Sequence, residues 1–99
     1  MNIPKKIKIG GKIYKIKQTN NLVSGLGYSG EIIYNDLVIN IRPCSNGKMK
    51  HILLHEMFHG IFEHLGYNEH DEKLIDGLAN ALYMIIEDNP KMFEKEGNK

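Results

Sequence analysis

The chain has 99 residues, of which 41% are hydrophobic and 25% are charged, with a formal net charge of +1. This length predicts a single domain with a modest core, too small for separate catalytic and binding lobes. The near-neutral charge gives no reason to expect nucleic acid as a partner, and no apolar run reaches the ~20 residues of a membrane span. With one cysteine and no signal peptide pattern, we expect a cytoplasmic protein.

The first part of the chain predicts four β-strands. Residues 5–18 alternate isoleucine with lysine around Gly10-Gly11, which is typical of a hairpin whose lysines face solvent. Four isoleucines are expected on its inward face: Ile7, Ile9, Ile13 and Ile16. Residues 19–30 are rich in Asn, Ser and Gly and predict a loop. A second pair of strands, 31–34 and 37–41, is expected to flank a turn at 35–36.

The second part predicts two helices. The first is expected to begin after Ser45 or Asn46, both good N-cap residues, and to end near Leu65, with Gly66 following it. The second spans about residues 71 to 88, where apolar side chains recur at helical spacing. Residues 1–99 thus predict one α+β domain: a small antiparallel sheet of three or four strands from residues 1–44, packed on two helices from residues 45–90. Residues 91–99 are expected to be a loose tail.

The first predicted helix carries an HExxH motif, His55-Glu56-Met57-Phe58-His59. Residues four apart lie on one helical face, so His55 and His59 can bind one zinc ion together. Glu56 is then close enough to act as general base toward a metal-activated water. A catalytic zinc site needs a third protein ligand. From spacing alone, the second helix offers both Glu72 and Asp76, and the choice stays open at this point.

The segment from Met49 to Pro90 resembles the ImmA/IrrE-like family of small zinc metallopeptidases, found in mobile elements, phages and their bacterial hosts. In that family an HExxH helix is followed by a helix with an acid-x-x-Ala-Asn pattern, similar to Asp76-Gly77-Leu78-Ala79-Asn80 here. The resemblance implies a minimal zincin-like fold, Zn²⁺ as cofactor and Asp76 as third ligand, where the family usually has glutamate; Glu72 is the alternative. It also implies hydrolysis of a protein or peptide substrate, such as a repressor.

Two other functions stay open. The first is a metal-stabilised interaction protein without catalysis, because the cleft of so small a domain must be shallow. The second is a metal-dependent endoribonuclease, since His59, His64 and His70 look similar to its three-histidine signature. That family needs its first two histidines four apart, however, and here they are five apart. His51 is expected at the surface, and His64 either at the surface or as a partner that contacts a metal ligand. The oxyanion donor is undecided among four candidates: Tyr67, His64, His70 and Tyr83.

Overall fold

Residues 1–94, the part of the chain that this computed structural model describes, form a four-stranded sheet and two long helices. The elements are β1 (Lys6–Ile9), β2 (Lys12–Gln18), β3 (Gly30–Ile33), β4 (Val38–Ile41), α1 (Asn46–His64) and α2 (Glu72–Asp88). The predicted α+β class is confirmed. The tail expected to be loose begins within a short 3₁₀-helix, Pro90–Phe93, and its last residues, 95–99, lie outside the described part.

The sheet has the strand order β1-β2-β4-β3, which makes β3 an edge strand. Both predicted hairpins form, because β1 pairs with β2 and β3 with β4 in antiparallel fashion. The two hairpins join through β2 and β4, which run parallel. The sheet is therefore mixed, whereas antiparallel pairing was expected throughout. Turn signals determine pairing within each hairpin, but pairing between hairpins depends on the path of the long loop before β3.

The β1–β2 hairpin differs from its prediction at Ile13. Ile13 is 49% exposed, while its neighbour Tyr14 is 3% exposed and belongs to the core. The two-residue turn pairs Lys8 with Ile13 and Ile7 with Tyr14. Directly paired residues share one face of a sheet. Ile13 therefore lies on the lysine face, and Tyr14 lies beside Ile7 on the face that packs against the core.

Helix α1 packs closely against the sheet. Ile39 and Ile41 of β4 are fully buried, and Leu53 of α1 belongs to the same cluster. Gly60 permits the close approach, because a β-carbon there would lie 2.8 Å from Cδ1 of Ile9. A glycine inside a helix costs about 1 kcal/mol relative to alanine, and at Gly60 the same glycine allows the helix to pack tightly against the sheet.

Helix α2 lies against α1, with which it buries Ile75 and Ala79. The Asp71 carboxylate accepts hydrogen bonds from the backbone amides of Lys73 and Leu74, so Asp71 is the N-cap and α2 begins at Glu72. Both helices agree with their predicted limits. Neither of these two helices, nor the 3₁₀-helix, combines the length and apolar character that crossing a membrane requires.

Candidate metal centre

The two histidines of the HExxH motif lie side by side on α1, as their spacing predicts. Their ring centroids are 5.1 Å apart. The side chain of His55 is 21% exposed and that of His59 is 13% exposed. Both rings present Nε2 toward the first turn of α2, so the pair lies at the junction of the two helices.

Glu72 is the acid that meets both histidines. One carboxylate oxygen, Oε2, lies 3.1 Å from Nε2 of His55, and the other, Oε1, lies 2.8 Å from Nε2 of His59. One ligand atom from each of the three residues lies within 4.8 Å of the other two. Two imidazole nitrogens and one carboxylate are the donors of a catalytic zinc site with an open position. The residues present therefore fit a bound metal ion.

Asp76, the third ligand implied by the family resemblance, occupies a different place. Its Oδ1 lies 3.1 Å from Nε2 of His51 and 3.4 Å from Nδ1 of His55, on the far side of the ring from Glu72. The two helices run antiparallel, so one turn forward along α2 corresponds to one turn back along α1. Glu72 therefore reaches the histidine pair, and Asp76 reaches the preceding turn. Glu72, the alternative prediction, is therefore the acid that joins His55 and His59 in a group that could hold a metal ion.

The side chain of Glu56 extends from α1 toward the edge strand β3. It is 8% exposed, and a β-carbon at Gly30 of β3 would lie 3.5 Å from its Oε2. Burial raises the pKa of Glu56 to about 7; neighbouring His55 opposes this, while the carboxylates of Glu72 and Glu31 add to it. A carboxyl group with a pKa near neutrality is well suited to accept and return a proton.

His59 has a second hydrogen-bonding partner on its other ring nitrogen. Its Nδ1 lies 2.8 Å from Nδ1 of His70, and Nε2 of His70 lies 3.0 Å from the backbone oxygen of Tyr67. Burial lowers the pKa of His59; the nearby Glu72 opposes this, while His55 and His70 add to it. Burial therefore favours the neutral form of His59, which is the form that binds metal.

A cleft of about 540 Å³ opens over the motif. Its walls come from the loop before β3, from β3 itself and from both helices; the lining includes Tyr28, Tyr34, His55, Glu56, His59 and Glu72. The Tyr34 hydroxyl donates to the backbone oxygen of His59 at 3.3 Å. Burial, with smaller effects from nearby acids, raises the pKa of Tyr34 to about 12, so it stays a donor. Neither tyrosine was a candidate from the sequence, although Tyr34 ends a predicted strand.

Glu31 of β3 fixes the loop that forms one wall of this cleft. Its carboxylate accepts hydrogen bonds from the amides of Val23 and Ser24, at 2.9 and 2.7 Å, and from the side chain of Asn40 at 2.7 Å. Burial acts to raise the pKa of Glu31, but these hydrogen bonds outweigh it and hold the pKa below its ordinary value. Glu31 therefore stays ionised and bound to the loop.

Arg42 holds the same loop from its other side. Its guanidinium donates to three backbone oxygens, those of Asn20 at 2.9 Å, Tyr28 at 3.0 Å and Gly25 at 3.1 Å. Side chains fully engaged with the backbone leave the loop little freedom. The loop nevertheless presents three exposed apolar side chains: Val23, Leu26 and Tyr28. Of these three side chains, Tyr28 lines the cleft.

The other candidate residues lie apart from the metal centre. His64 is exposed and its ring lies against Gly10 in the β1–β2 turn, so it does not join His59 and His70 as an endoribonuclease signature requires. The Tyr67 ring packs on Phe62. The Tyr83 hydroxyl faces Gly47 at the start of α1. His51 was expected at the surface and is half-buried beside Asp76.

Comparisons with models of known protein families, with curated proteins and with solved structures find no match for this chain. Inferences about function therefore rest on the geometry of the site.

Proposed function

We propose that this protein is a zinc-dependent metallopeptidase that hydrolyses peptide bonds in a protein substrate. The observation that carries the proposal is the position of Glu72, whose two oxygens each face one Nε2 of the HExxH histidines. A buried glutamate with a raised pKa lies next to this group and lines the same cleft. Perturbed acids in a cleft beside a ligand set are typical of catalytic sites.

The residues divide the chemistry between them. His55, His59 and Glu72 would hold the metal, which would supply activation of a water molecule and polarisation of the peptide carbonyl. Glu56 would accept a proton from the attacking water and return it to the nitrogen of the leaving amine as the C–N bond breaks. Tyr28, which lines the cleft, is the proposed donor to the oxyanion, since the hydroxyl of Tyr34 already donates to His59.

The edge strand β3 is the proposed binding site for the substrate backbone. An edge strand carries unpaired amide and carbonyl groups, and an extended peptide can add to it as a further strand. Gly30 of β3 lies beside the carboxylate of Glu56, since a β-carbon there would be 3.5 Å from its Oε2. A peptide paired with β3 would therefore carry its backbone past the general base.

A regulatory protein such as a repressor is the proposed substrate, and the cytoplasm the proposed location. The support is the resemblance of residues 49–90 to the ImmA/IrrE-like family. The rival proposal of a non-catalytic metal protein has less support, because structural zinc sites are closed by four protein ligands. The cluster found among residues 1–94 supplies three donors, and the Glu72 side chain is 66% exposed.

The test compares the zinc-loaded wild type with Glu56→Gln. The variant should keep its zinc and its fold while losing hydrolysis by about 10²- to 10⁴-fold, since Glu56 transfers the proton but does not ligate. Substrates should include repressors encoded near the gene and a proteome-derived peptide library. Glu63→Gln, an exposed acid on the same helix, is the matched control and should retain activity.

Three results would contradict the proposal. Equal hydrolysis by wild type and Glu56→Gln would mean that the HExxH glutamate is not the base. A wild type that binds zinc but cleaves none of these substrates would favour the interaction protein. RNA cleavage lost on replacing His70 would favour the endoribonuclease.

A further inference from the structure

His70 belongs to the linker between the two helices, and its ring lies edge to edge with that of a proposed metal ligand. The planes of the His70 and His59 rings are inclined by 20°, and their centroids are 5.1 Å apart. The edge of Phe62 contacts the same ring, with centroids 5.7 Å apart. Both nitrogens of His70 have close partners: Nδ1 meets His59, and Nε2 meets the backbone oxygen of Tyr67.

These partners determine where the hydrogens lie. A backbone carbonyl oxygen can only accept, so Nε2 of His70 carries a hydrogen and donates it to Tyr67. A neutral imidazole carries one such hydrogen, which makes Nδ1 of His70 an acceptor. The 2.8 Å contact between the two Nδ1 atoms needs one hydrogen. When a metal takes the place of a hydrogen between Nε2 of His59 and Glu72, that hydrogen belongs to His59.

We infer that His70 is a positioning residue of the metal centre, holding the ring hydrogen of His59 on Nδ1 so that Nε2 is free to bind the metal. The inference rests on one part of the proposed function, the binding of a metal ion, and does not require peptide hydrolysis. When a metal takes the lone pair of Nε2, the remaining hydrogen of His59 must lie on Nδ1. Since the His59 side chain is only 13% exposed, solvent is a poor substitute for the acceptor that His70 provides.

The opposite side of the His59 ring points to the same role. With the hydrogen on Nδ1, Nε2 presents a lone pair to Oε1 of Glu72 at 2.8 Å. Two acceptors at this distance repel each other unless a cation binds both. By keeping the hydrogen of His59 on Nδ1, His70 thus leaves a lone pair on Nε2 and a carboxylate facing each other, and this pair attracts a metal ion most strongly. Partners of this kind on metal-binding histidines affect affinity by about 10- to 100-fold.

A matched pair of substitutions separates this role from packing. His70→Phe keeps an aromatic ring against His59 and Phe62 but removes the acceptor. His70→Asn is smaller but places its Oδ1 where Nδ1 was, and so keeps an acceptor. Zinc affinity, measured by competition with a chromophoric chelator, should fall by about 10- to 100-fold in His70→Phe and far less in His70→Asn. His64→Phe, at the exposed histidine beside the hairpin turn, is the control and should bind as the wild type does.

The hydrogen bond itself can be observed by NMR. In zinc-loaded protein with ¹⁵N-labelled histidines, we expect a scalar coupling across the bond between the two Nδ1 atoms, with the hydrogen on His59. Equal zinc affinity of His70→Phe and wild type, or a hydrogen found on Nδ1 of His70, would overturn the inference. A wild type that binds no zinc would overturn it together with the metal site. Loss of the peptidase proposal alone, with zinc binding and coupling intact, would leave it standing.

Discussion

Replacement of the two acids of α2, one at a time, distinguishes the ligand from its neighbour. Glu72 contacts Nε2 of both histidines at 3.1 and 2.8 Å, whereas Asp76 contacts Nδ1 of His55 at 3.4 Å. Glu72→Ala should therefore remove a ligand. Asp76→Ala should remove only a partner that orients the His55 ring from behind.

The two losses should differ in size. Zinc binding to a four-ligand structural site is worth roughly 10–16 kcal/mol, or about 2.5–4 kcal/mol for each ligand. Loss of Glu72 should then weaken zinc binding by about 10²- to 10³-fold. Loss of a partner that touches a ligand costs about 10- to 100-fold. The contact of Asp76 is long and its side chain is 51% exposed, so about tenfold is expected.

Zinc affinity would be measured by chelator competition, and the ligand field by the absorption spectrum of the cobalt-substituted protein. Glu72→Ala should change the cobalt spectrum, whereas Asp76→Ala should leave the ligand set and the spectrum nearly unchanged. Glu69→Gln, an exposed acid of the linker, controls for the change in net charge. If Asp76→Ala lost more affinity than Glu72→Ala, Asp76 would be the ligand and the helix register described here would be wrong.

Three further outcomes follow from the same geometry. In the metal-free protein, the pKa of Glu56 is raised from 4.5 to about 7. Between these pH values the folded state keeps a proton that the unfolded state has lost. The free energy of unfolding should therefore fall as pH rises from about 4.5 to 7, by up to about 3 kcal/mol. Urea unfolding at several pH values should show this decline in wild type relative to Glu56→Gln, and parallel curves would contradict it. When free zinc is at a hundred times its dissociation constant, removing it should lower the free energy of unfolding by about 2.7 kcal/mol, or the Tm by about 10–20 °C for a domain of this size. Hydrogen exchange should show the first turn of α2 losing protection before the β1–β2 hairpin. An unchanged Tm would mean that the metal does not bind the folded state preferentially. Gly30→Ala should destabilise the fold by about 1–3 kcal/mol, because the new β-carbon would collide with Cγ2 of Ile52 and lie 3.2 Å from the backbone oxygen of Asn40. Denaturation curves would measure this loss. Gly27→Ala is the control, since a β-carbon there meets nothing within 4 Å.

The features that the sequence predicted well are local. Helix limits follow from residues within one turn of each end, such as Asp71, which caps α2, and Gly66, which follows α1 with a φ of 87°. The HExxH pair also depends on one helix alone, so its shared face was predictable from spacing. Each hairpin was predictable for the same reason, since its strands are joined by a short turn.

The features that the sequence did not determine depend on distant contacts. Glu72 and Asp76 lie one turn apart on the same face of α2, and only the packing of α2 against α1 distinguishes them. The parallel pairing of β2 with β4 depends on the long loop between the hairpins. The contact of His70 with His59 depends on the path of a linker without regular structure. Sequence spacing carries no direct signal for any of these.

The metal donors and their linker partner all fall in one stretch of chain, from His55 to Glu72, while the cleft wall comes from the loop and strand anchored by Glu31 and Arg42. The metal donors and the loop that walls the cleft are thus encoded in separate stretches of the chain, and Tyr28 is the one proposed catalytic group in the loop. Under the proposed function, substitutions at the other loop positions reshape the wall while the donors keep their places. A lineage of such peptidases can then diversify its specificity in this loop and inherit the metal-binding segment unchanged.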